Sequence, residues 1–459
     1  MKNHTTLPAL ATFLLLSLQA QAQIASVHRF ESITPRPDGA ISLSLAGQAS
    51  ASFNLYFDLF PLEASSNLMD WRPLVTITRT NASTNALSYL DREAAGLTSR
   101  FYRMVTNWLV TPLPPLTGPY PVGTFSRLLT DPSRTNTLRR TNHQFMVTFW
   151  YPAMAPAGAL PGPYLDKQLV GELAGFPSSA IASKFVGHSF ANAPLAPRQP
   201  TYPVVLYSHS LYGHRRENVY KTEELASHGF IVVGLDHRDT FASVFPDGTV
   251  VRMPTFENTM AVYLAGIKER ATDEQFVMDE LSRMNSGDAM FAGRLDLERM
   301  GAFGWSFGGA AAAEVCRTDP RCKAGINMDG GFFVSNLVQT ALSTPFMMLR
   351  ADTPDSAMDD GRPDDRKLVI QKMTHDGYFV RTSGTEHYSY SDMPLVADKS
   401  SFQSIFGSPI HPLIPGVRIN QMASAYVVSF FRKYLKGEDD HLLDGPPAEF
   451  PEVIEFFKQ

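Results

Sequence analysis

The pentapeptide Gly-Trp-Ser-Phe-Gly at residues 304–308 constrains the fold of this chain more than any other feature. It follows an apolar run at residues 300–303 that is typical of a buried strand, and it leads into an alanine-rich run at residues 310–315 that favours a helix. Gly-x-Ser-x-Gly in this context is the pattern of a nucleophile elbow, a tight turn that exposes a serine. Glycine has a steric reason to flank that serine, because a Cβ there would collide with the strand or the helix. The pattern therefore predicts that Ser306 is a nucleophile, the alternative being a plain glycine-rich turn.

Around this turn, from about residue 118 onward, short apolar runs alternate with helical stretches. Residues 203–208 and 230–236 read as strands, and residues 219–228 between them favour a helix. Such alternation is typical of an α/β domain with a largely parallel sheet. Together with the elbow, it predicts an α/β-hydrolase fold over residues 118–459.

The chain before this domain has a different pattern. Residues 24–108 carry short runs of alternating apolar and polar residues with turn formers between them, which is typical of a small all-β sandwich. Residues 62–71 and 100–103 resemble small fibronectin-like modules of secreted bacterial proteins, and this resemblance implies no chemistry. The proline-rich residues 109–117 predict a stiff, extended linker between the two parts.

The first residues predict export. Lys2 precedes an apolar stretch at residues 7–18, and the small residues Ala20 and Ala22 follow it. This is the pattern of a signal peptide over residues 1–22. A membrane anchor is the less favoured alternative, because the stretch falls short of the roughly 20 apolar residues that span a bilayer. We therefore expect a secreted or periplasmic protein with no stable membrane insertion after cleavage.

The chain has two cysteines, Cys316 and Cys322. The turn-forming pair Asp319-Pro320 lies between them and favours a close approach of the two sulfur atoms. In an oxidising compartment this spacing predicts a local disulfide, with two free thiols as the alternative. Two cysteines without matching histidines make a poor zinc site, so we expect no metal.

The charge of the chain narrows its possible partners. The 40 Lys and Arg residues and 45 Asp and Glu residues are interspersed, and the net charge of -5 is small for 459 residues. We therefore expect no nucleic-acid partner and no electrostatic attraction to an anionic membrane.

A serine nucleophile needs a histidine base, which follows it in chain order in this fold. Of the four histidines after Ser306, His375 precedes a predicted strand and so lies at its wrong end, and His441 lies in a charged tail. His387 follows that strand at the carboxyl edge, where active-site groups of such sheets lie. His387 is therefore the predicted base, with His411 as its competitor.

The acid that orients this histidine has several candidates. Asp329 ends one predicted strand, and Asp352 and Asp355 follow the next one. Each of these aspartates also fits the ordinary role of capping a turn or helix. The residue pattern by itself does not choose between them.

An oxyanion hole needs one backbone N–H from the residue after the nucleophile and another from the loop after an early strand. Phe307 meets the first condition, and Leu211 in the turn after residues 203–208 meets the second. His209 lies in that turn before the serine, so we interpret it as a structural hydrogen-bonding residue.

These motifs together resemble the platelet-activating factor acetylhydrolase family, the secreted lipoprotein-associated type and its bacterial relatives. The resemblance covers nearly the whole chain from residue 118 onward. It is carried by residues 118–123, 130–134, 150–153, 226–232, 236–239, 304–309 and 324–330, and by the Gly-Thr-Glu-His run that ends at His387. It implies that Asp329 is the triad acid.

Two positions depart from the pattern of that family. The chain has His209-Ser210 where the family has His-Gly, and Trp305 where the family has a histidine before the serine. Ser210 restricts the backbone of the oxyanion turn. Trp305 adds an apolar ring beside the nucleophile, either as core or as a wall of the acyl pocket.

The sequence thus predicts a serine ester hydrolase that works through an acyl-enzyme without a cofactor on a small-molecule or lipid ester. The resemblance implies phospholipids with short or oxidised acyl chains, and a general short-chain carboxylesterase or polyesterase is the alternative. A cap formed by residues 156–200 would shape that choice. A rival of another class is a binding protein built on an inactive hydrolase fold.

Overall fold

The computed structural model describes residues 29–46, 58–66, 72–79, 87–95, 97–104, 111–136, 141–155, 159–165, 169, 185–254, 257, 259–332, 342–352, 365–396 and 414–459. The chain forms two compact units, Met1–Val110 and Thr111–Gln459. The predicted signal peptide, Asp355 and His411 lie outside the described residues.

The first unit contains two antiparallel sheets of three strands each. One sheet has the order β1-β2-β5 and the other β4-β3-β6. The strands are β1 (Arg29–Pro35), β2 (Ile41–Ala46), β3 (Asp58–Ser65), β4 (Arg72–Arg79), β5 (Leu87–Asp91) and β6 (Phe101–Met104). The Tyr102 hydroxyl donates to the buried carboxylate of Asp91 at 3.0 Å. This bond joins a strand of one sheet to a strand of the other, and it satisfies a charge that burial would otherwise destabilise.

The second unit is built on a mixed sheet of ten strands, in the order β11-β8-β9-β13-β12-β16-β17-β18-β19-β20. The strands are β8 (Val122–Asn136), β9 (Thr141–Pro152), β11 (Ser189–Ala191), β12 (Tyr202–Ser208), β13 (Ile231–Leu235), β16 (Leu295–Trp305), β17 (Cys322–Met328), β18 (Phe346–Ala351), β19 (Gly377–Thr382) and β20 (Val453–Lys458). The six strands from β13 to β19 in this order are parallel, and β9 and β20 pair antiparallel at either side of them. The predicted α/β-hydrolase fold is confirmed.

Two further pairs of short strands lie outside the ten-stranded sheet. β14 (Ala242–Val244) and β15 (Val250–Arg252) form a hairpin, and β7 (Thr111–Pro112) pairs in parallel with β10 (Phe185–Val186). The strand β7 belongs to the segment that was expected to be a linker. This part of the segment is therefore paired within the second unit. Leu113 shows why, since its apolar side chain is almost fully buried in the core of that unit.

Helices cover both faces of the large sheet. They are α1 (Val219–Ser227), α2 (Met260–Gly287), α3 (Phe307–Thr318), α4 (Asp365–Gln371), α5 (Met393–Val396) and α6 (Gly416–Phe431), with short 3-10 helices at His387–Tyr390 and Leu442–Asp444 and a π-helical turn at Arg432–Lys436. None of the helices that the structure describes is long and apolar enough to cross a membrane.

The core has two parts, one on each face of the sheet. In β12, Val205 and Tyr207 belong to one apolar cluster, and Val204 and Leu206 belong to the other. Successive side chains of a strand point to opposite faces, so a strand buried on both sides reads as a continuous apolar run. This burial fixes the strands whose carboxyl ends carry the site.

Candidate active site

Ser306 occupies the turn between β16 and α3, as the elbow pattern predicted. Its φ of 56° is positive, a conformation that a non-glycine residue adopts only when its surroundings enforce it. A Cβ on Gly304 would lie 2.3 Å from the Gly308 backbone, and one on Gly308 would lie 2.0 Å from the Ser208 carbonyl oxygen. Glycine at both positions therefore allows the strand and the helix to approach closely, and the turn presents the serine hydroxyl.

His387 lies against this hydroxyl. Its Nε2 is 2.8 Å from Ser306 Oγ, although 81 residues separate the two in sequence. The loop after β19 that carries His387 is held by Asp352, which accepts a hydrogen bond from the Gly384 amide and donates its own amide to the Thr385 hydroxyl. These two hydrogen bonds help to hold the loop that places His387 next to Ser306.

Asp329 lies on the other side of the histidine. Its Oδ2 is 2.7 Å from His387 Nδ1, and its Oδ1 accepts hydrogen bonds from Arg350 at 2.7 Å and from the Ala351 amide at 2.8 Å. Burial alone would raise the pKa of Asp329, but the bond to His387 and the charge of Arg350 outweigh it and lower that pKa. A lowered pKa keeps this carboxylate ionised at neutral pH, as an acceptor for the imidazole N–H.

The three residues lie just after the carboxyl ends of three strands within the run of adjacent parallel strands β16-β17-β18-β19. Ser306 follows β16, Asp329 follows β17 directly, and His387 follows β19. Asp352 follows β18 but binds the histidine loop and not the imidazole. His375 and His441 are exposed and bond to their own neighbours in sequence, Thr374 and Asp444. The structure therefore brings together Ser306, His387 and Asp329.

Trp305 contributes to this arrangement in a way that the sequence did not reveal. Its indole Nε1 donates a hydrogen bond of 2.9 Å to the backbone carbonyl of His387, and its ring lies 5.2 Å from the imidazole. The ring is almost fully buried, as the core interpretation predicted. The residue before Ser306 therefore also holds the backbone of His387.

We expect Trp305→Phe to lower kcat about fivefold, because loss of one positioning hydrogen bond of about 1 kcal/mol frees the His387 backbone. Steady-state kinetics on a soluble ester measure this effect. Trp150→Phe is the matched control, since Trp150 is fully buried and its indole N–H has no hydrogen-bond partner among the described residues. Equal effects of the two substitutions on kcat would contradict the positioning role of Trp305.

The two predicted oxyanion donors, Leu211 and Phe307, both line one cavity. Leu211 follows β12 by a short turn, and Phe307 begins α3, where the first N–H groups of a helix have no partner within that helix. His209 is fully buried, with Nδ1 2.6 Å from the Ser210 carbonyl and Nε2 2.6 Å from the Thr240 hydroxyl. Burial holds the pKa of His209 well below its usual range, with the nearby Arg270 charge lowering it further. These contacts fit the structural role expected for His209.

A cavity of about 370 Å³ opens beside these donors. Its apolar lining includes Leu211, Val262, Tyr263 and Phe307. Its charged lining consists of Arg238, Asp239, Glu257, Glu269, Arg270 and Asp273. The cavity therefore combines an apolar wall with a charged one, and α2 contributes half of the residues named for each.

The sequence reasoning missed Arg270. This side chain is 1% exposed in the middle of α2, and it donates to the backbone carbonyls of His209 and Ser210. About 60 residues separate it from those carbonyls, and in the sequence it is one of many charged residues in a helical stretch. No local signal distinguishes it from a solvent-exposed arginine.

The predicted disulfide is not formed in the structure, which describes Cys316 and Cys322 as free, buried thiols. Cys316 lies in α3 and Cys322 at the start of β17, where its thiol faces the Ala324 carbonyl at 3.6 Å. Burial raises the pKa of the Cys316 thiol, and the neighbouring Cys322 side chain raises it further. Both sulfur atoms pack in the apolar core between helix and sheet.

The model of the family described as platelet-activating factor acetylhydrolase, isoform II, matches residues 109–284 and 264–441. A protein of the fungus Arthroderma benhamiae, named "Probable 1-alkyl-2-acetylglycerophosphocholine esterase", is 28% identical over 269 residues, which are 55% of this chain and 65% of that protein. The chain thus spans slightly less than two thirds of the fungal relative.

Two further comparisons cover more of both chains. The platelet-activating factor acetylhydrolase of Cavia porcellus is 22% identical over 418 residues, which are 82% of this chain and 90% of the relative. Among solved structures, a ferulic acid esterase from Streptomyces cinnamoneus superposes with a TM-score of 0.64 at 26% sequence identity. That match covers 76% of this chain and 99% of the esterase.

Proposed function

This chain belongs to the platelet-activating factor acetylhydrolase family of carboxylic ester hydrolases, and on that premise we propose that Ser306, His387 and Asp329 are its catalytic triad. The observation that carries the proposal is the continuous chain of contacts from Ser306 Oγ through the His387 ring to Asp329. A serine hydroxyl is a weak nucleophile unless a base takes its proton, and this chain supplies the base and the group that orients it.

In the proposed reaction, His387 Nε2 takes the Ser306 proton as Oγ bonds to the ester carbonyl carbon. Asp329 accepts the Nδ1 proton in a hydrogen bond and stabilises the imidazolium that forms. The tetrahedral intermediate then expels the alcohol, which receives the proton from His387, and the acyl group remains on Ser306. Water repeats the sequence, releases the acid and restores the serine.

The negative oxygen of each tetrahedral intermediate needs donors that are already oriented. We assign this role to the backbone N–H groups of Leu211 and Phe307. Two features support the assignment: Phe307 directly follows the nucleophile at the N-terminus of α3, and both residues line the cavity beside the serine turn.

For the substrate, we propose esters with short acyl chains on a phospholipid, because two relatives bear names of that activity. The alternative is a general short-chain carboxylesterase or polyesterase. Two observations favour it: the structural neighbour is a ferulic acid esterase, and the cavity of about 370 Å³ beside the oxyanion donors has room for more than an acetyl group.

A panel of esters that differ in the length and kind of their acyl group distinguishes these two activities. We expect kcat/KM to be at least about tenfold higher for an sn-2 acetyl phospholipid than for its long-chain counterpart, because a cavity of fixed size discriminates by about that factor. A preference for hydroxycinnamoyl esters over the acetyl phospholipid would support the carboxylesterase alternative. Absence of hydrolysis together with absence of labelling by a fluorophosphonate probe would support an inactive binding protein.

We also propose that the chain is exported after removal of residues 1–22 and that residues 24–108 form a separate module. The apolar stretch before Ala22 supports the first proposal, and the division of the chain at residue 110 supports the second.

A further inference from the structure

We propose that Arg270 is a positioning residue of the oxyanion hole, which orients and polarises the Leu211 N–H through the peptide group that joins Ser210 to Leu211. This inference rests on the proposed function. It adds a residue from α2, outside the triad and its strands, to the machinery of the reaction.

The guanidinium of Arg270 holds the oxyanion turn by its backbone. Nη2 donates to the Ser210 carbonyl at 3.0 Å, and Nη1 donates to the preceding carbonyl, that of His209. Two adjacent carbonyls of the turn therefore point at one planar cation. The rigid fork of an arginine side chain suits this arrangement, and a lysine could not reproduce it.

The carbonyl of Ser210 and the N–H of Leu211 belong to the same peptide group. In a planar trans peptide these two groups point in opposite directions, so whatever binds the carbonyl directs the N–H. The His209 ring and the Gly213 N–H also bind this oxygen, at 2.6 Å and 3.0 Å, and Arg270 is the charged member of the set. A charged donor on the carbonyl also withdraws electron density from the amide and strengthens the N–H as a donor. Arg270 thus acts on an oxyanion donor without contacting the substrate carbonyl.

The two donors of Ser210, next to Leu211 in this turn, already have partners. The Ser210 N–H donates to the half-buried carboxylate of Glu217, and the Ser210 hydroxyl donates to the same carboxylate at 2.9 Å. The Leu211 N–H forms no hydrogen bond within the described part of the chain. With both donors of Ser210 bound to Glu217, the neighbouring Leu211 N–H is left for a substrate oxygen.

Arg270 is itself fixed in place. Its Nε and Nη2 donate to the two carboxylate oxygens of Asp239, and its guanidinium lies 4.7 Å from the centroid of the Phe307 ring. The bidentate pair sets the plane of the guanidinium. The ring contact places this cation against the residue that supplies the other proposed oxyanion donor.

The test compares Arg270→Gln with Arg134→Gln in the full chain. Arg134 also binds a buried aspartate of α2, with Nη1 2.7 Å from Asp273, but it makes no contact with the oxyanion turn. We expect Arg270→Gln to lower kcat about 10- to 100-fold with little change in KM, a part of the loss that follows removal of an oxyanion donor. Arg134→Gln should lower the thermal midpoint, and its kcat should stay within a few fold of that of the unmodified protein.

A trifluoromethyl ketone gives a readout that a merely structural role would not move. It binds serine hydrolases as a tetrahedral adduct whose oxygen occupies the oxyanion hole, so its affinity reports the donors directly. We expect Arg270→Gln to raise the Kd of the ketone by the same factor by which it lowers kcat. Millimolar guanidinium should partly restore kcat to Arg270→Ala, because Arg270 lines the open cavity.

If Arg270→Gln does not fold, Asp239→Asn tests the same inference. It keeps Arg270 but weakens the paired hydrogen bonds that orient the guanidinium. Unchanged ketone affinity in a folded variant at either position would overturn the inference, as would equal losses of kcat in Arg270→Gln and Arg134→Gln. Failure of the proposed function looks different: a fluorophosphonate probe would not label Ser306 in the unmodified protein.

Discussion

Replacing Ser306 with alanine is expected to lower ester turnover by about four to six orders of magnitude while the protein stays folded. Removal of the nucleophile from a serine triad costs this much, and the oxyanion donors and binding groups supply the residual rate. The hydroxyl contributes little to packing, because it stands at the exposed side of a turn. Turnover and the thermal midpoint are measured on the same preparation.

Ser208 provides the matched control for this experiment. Its hydroxyl also contacts a histidine, 3.0 Å from His237 Nε2, and His237 Nδ1 lies 2.8 Å from an oxygen of Asp273. Ser208 is fully buried, however, so no ester reaches it. Ser208→Ala should lower stability and leave turnover within about tenfold. If Ser306→Ala retains activity within about tenfold of the unmodified protein, the nucleophile is another residue.

Asp329→Asn should lower turnover by about three to four orders of magnitude, the second largest effect that we expect. The amide cannot stabilise the imidazolium, and its NH₂ favours the imidazole tautomer that cannot accept the serine proton. The substitution is nearly isosteric, so the loss reports charge and orientation. Circular dichroism and the thermal midpoint establish that the variant is folded.

Asp352→Asn is the control for the acid. Asp352 binds the loop that carries His387, at the Gly384 amide and the Thr385 hydroxyl, without contacting the imidazole. We expect its loss to reduce turnover about tenfold or less, since neighbouring bonds still hold the loop. A large loss at Asp352 with nearly normal turnover in Asp329→Asn would reverse the assignment of the acid.

The parts of the site that the sequence could predict are those fixed by local geometry. The glycines around Ser306 are required by sterics within a few residues, and the position of His387 after a late strand follows from the direction of parallel strands. The choice of Asp329 over Asp352 came from family resemblance. Both aspartates end strands, and only the contact with the His387 ring separates them.

The contacts that the sequence could not predict join residues far apart in the chain. Trp305 binds the carbonyl of His387, 82 residues away, and Arg270 binds carbonyls about 60 residues before it. Neither contact leaves a periodic or compositional signal, because each joins a side chain to a backbone carbonyl, which every residue has. The docking of Leu113 was missed for a related reason, since the prolines around it favour an extended chain whether or not that chain packs.

The strand β20 lies at the edge of the sheet and pairs with β19, the strand that leads to His387. It contributes no group to the proposed chemistry. Without it, β19 would present a row of unpaired backbone N–H and C=O groups, which is a template for aggregation between molecules. A chain trimmed before residue 453 would lack this edge strand, so we expect it to associate through the exposed edge of β19 and to be lost from solution as aggregates.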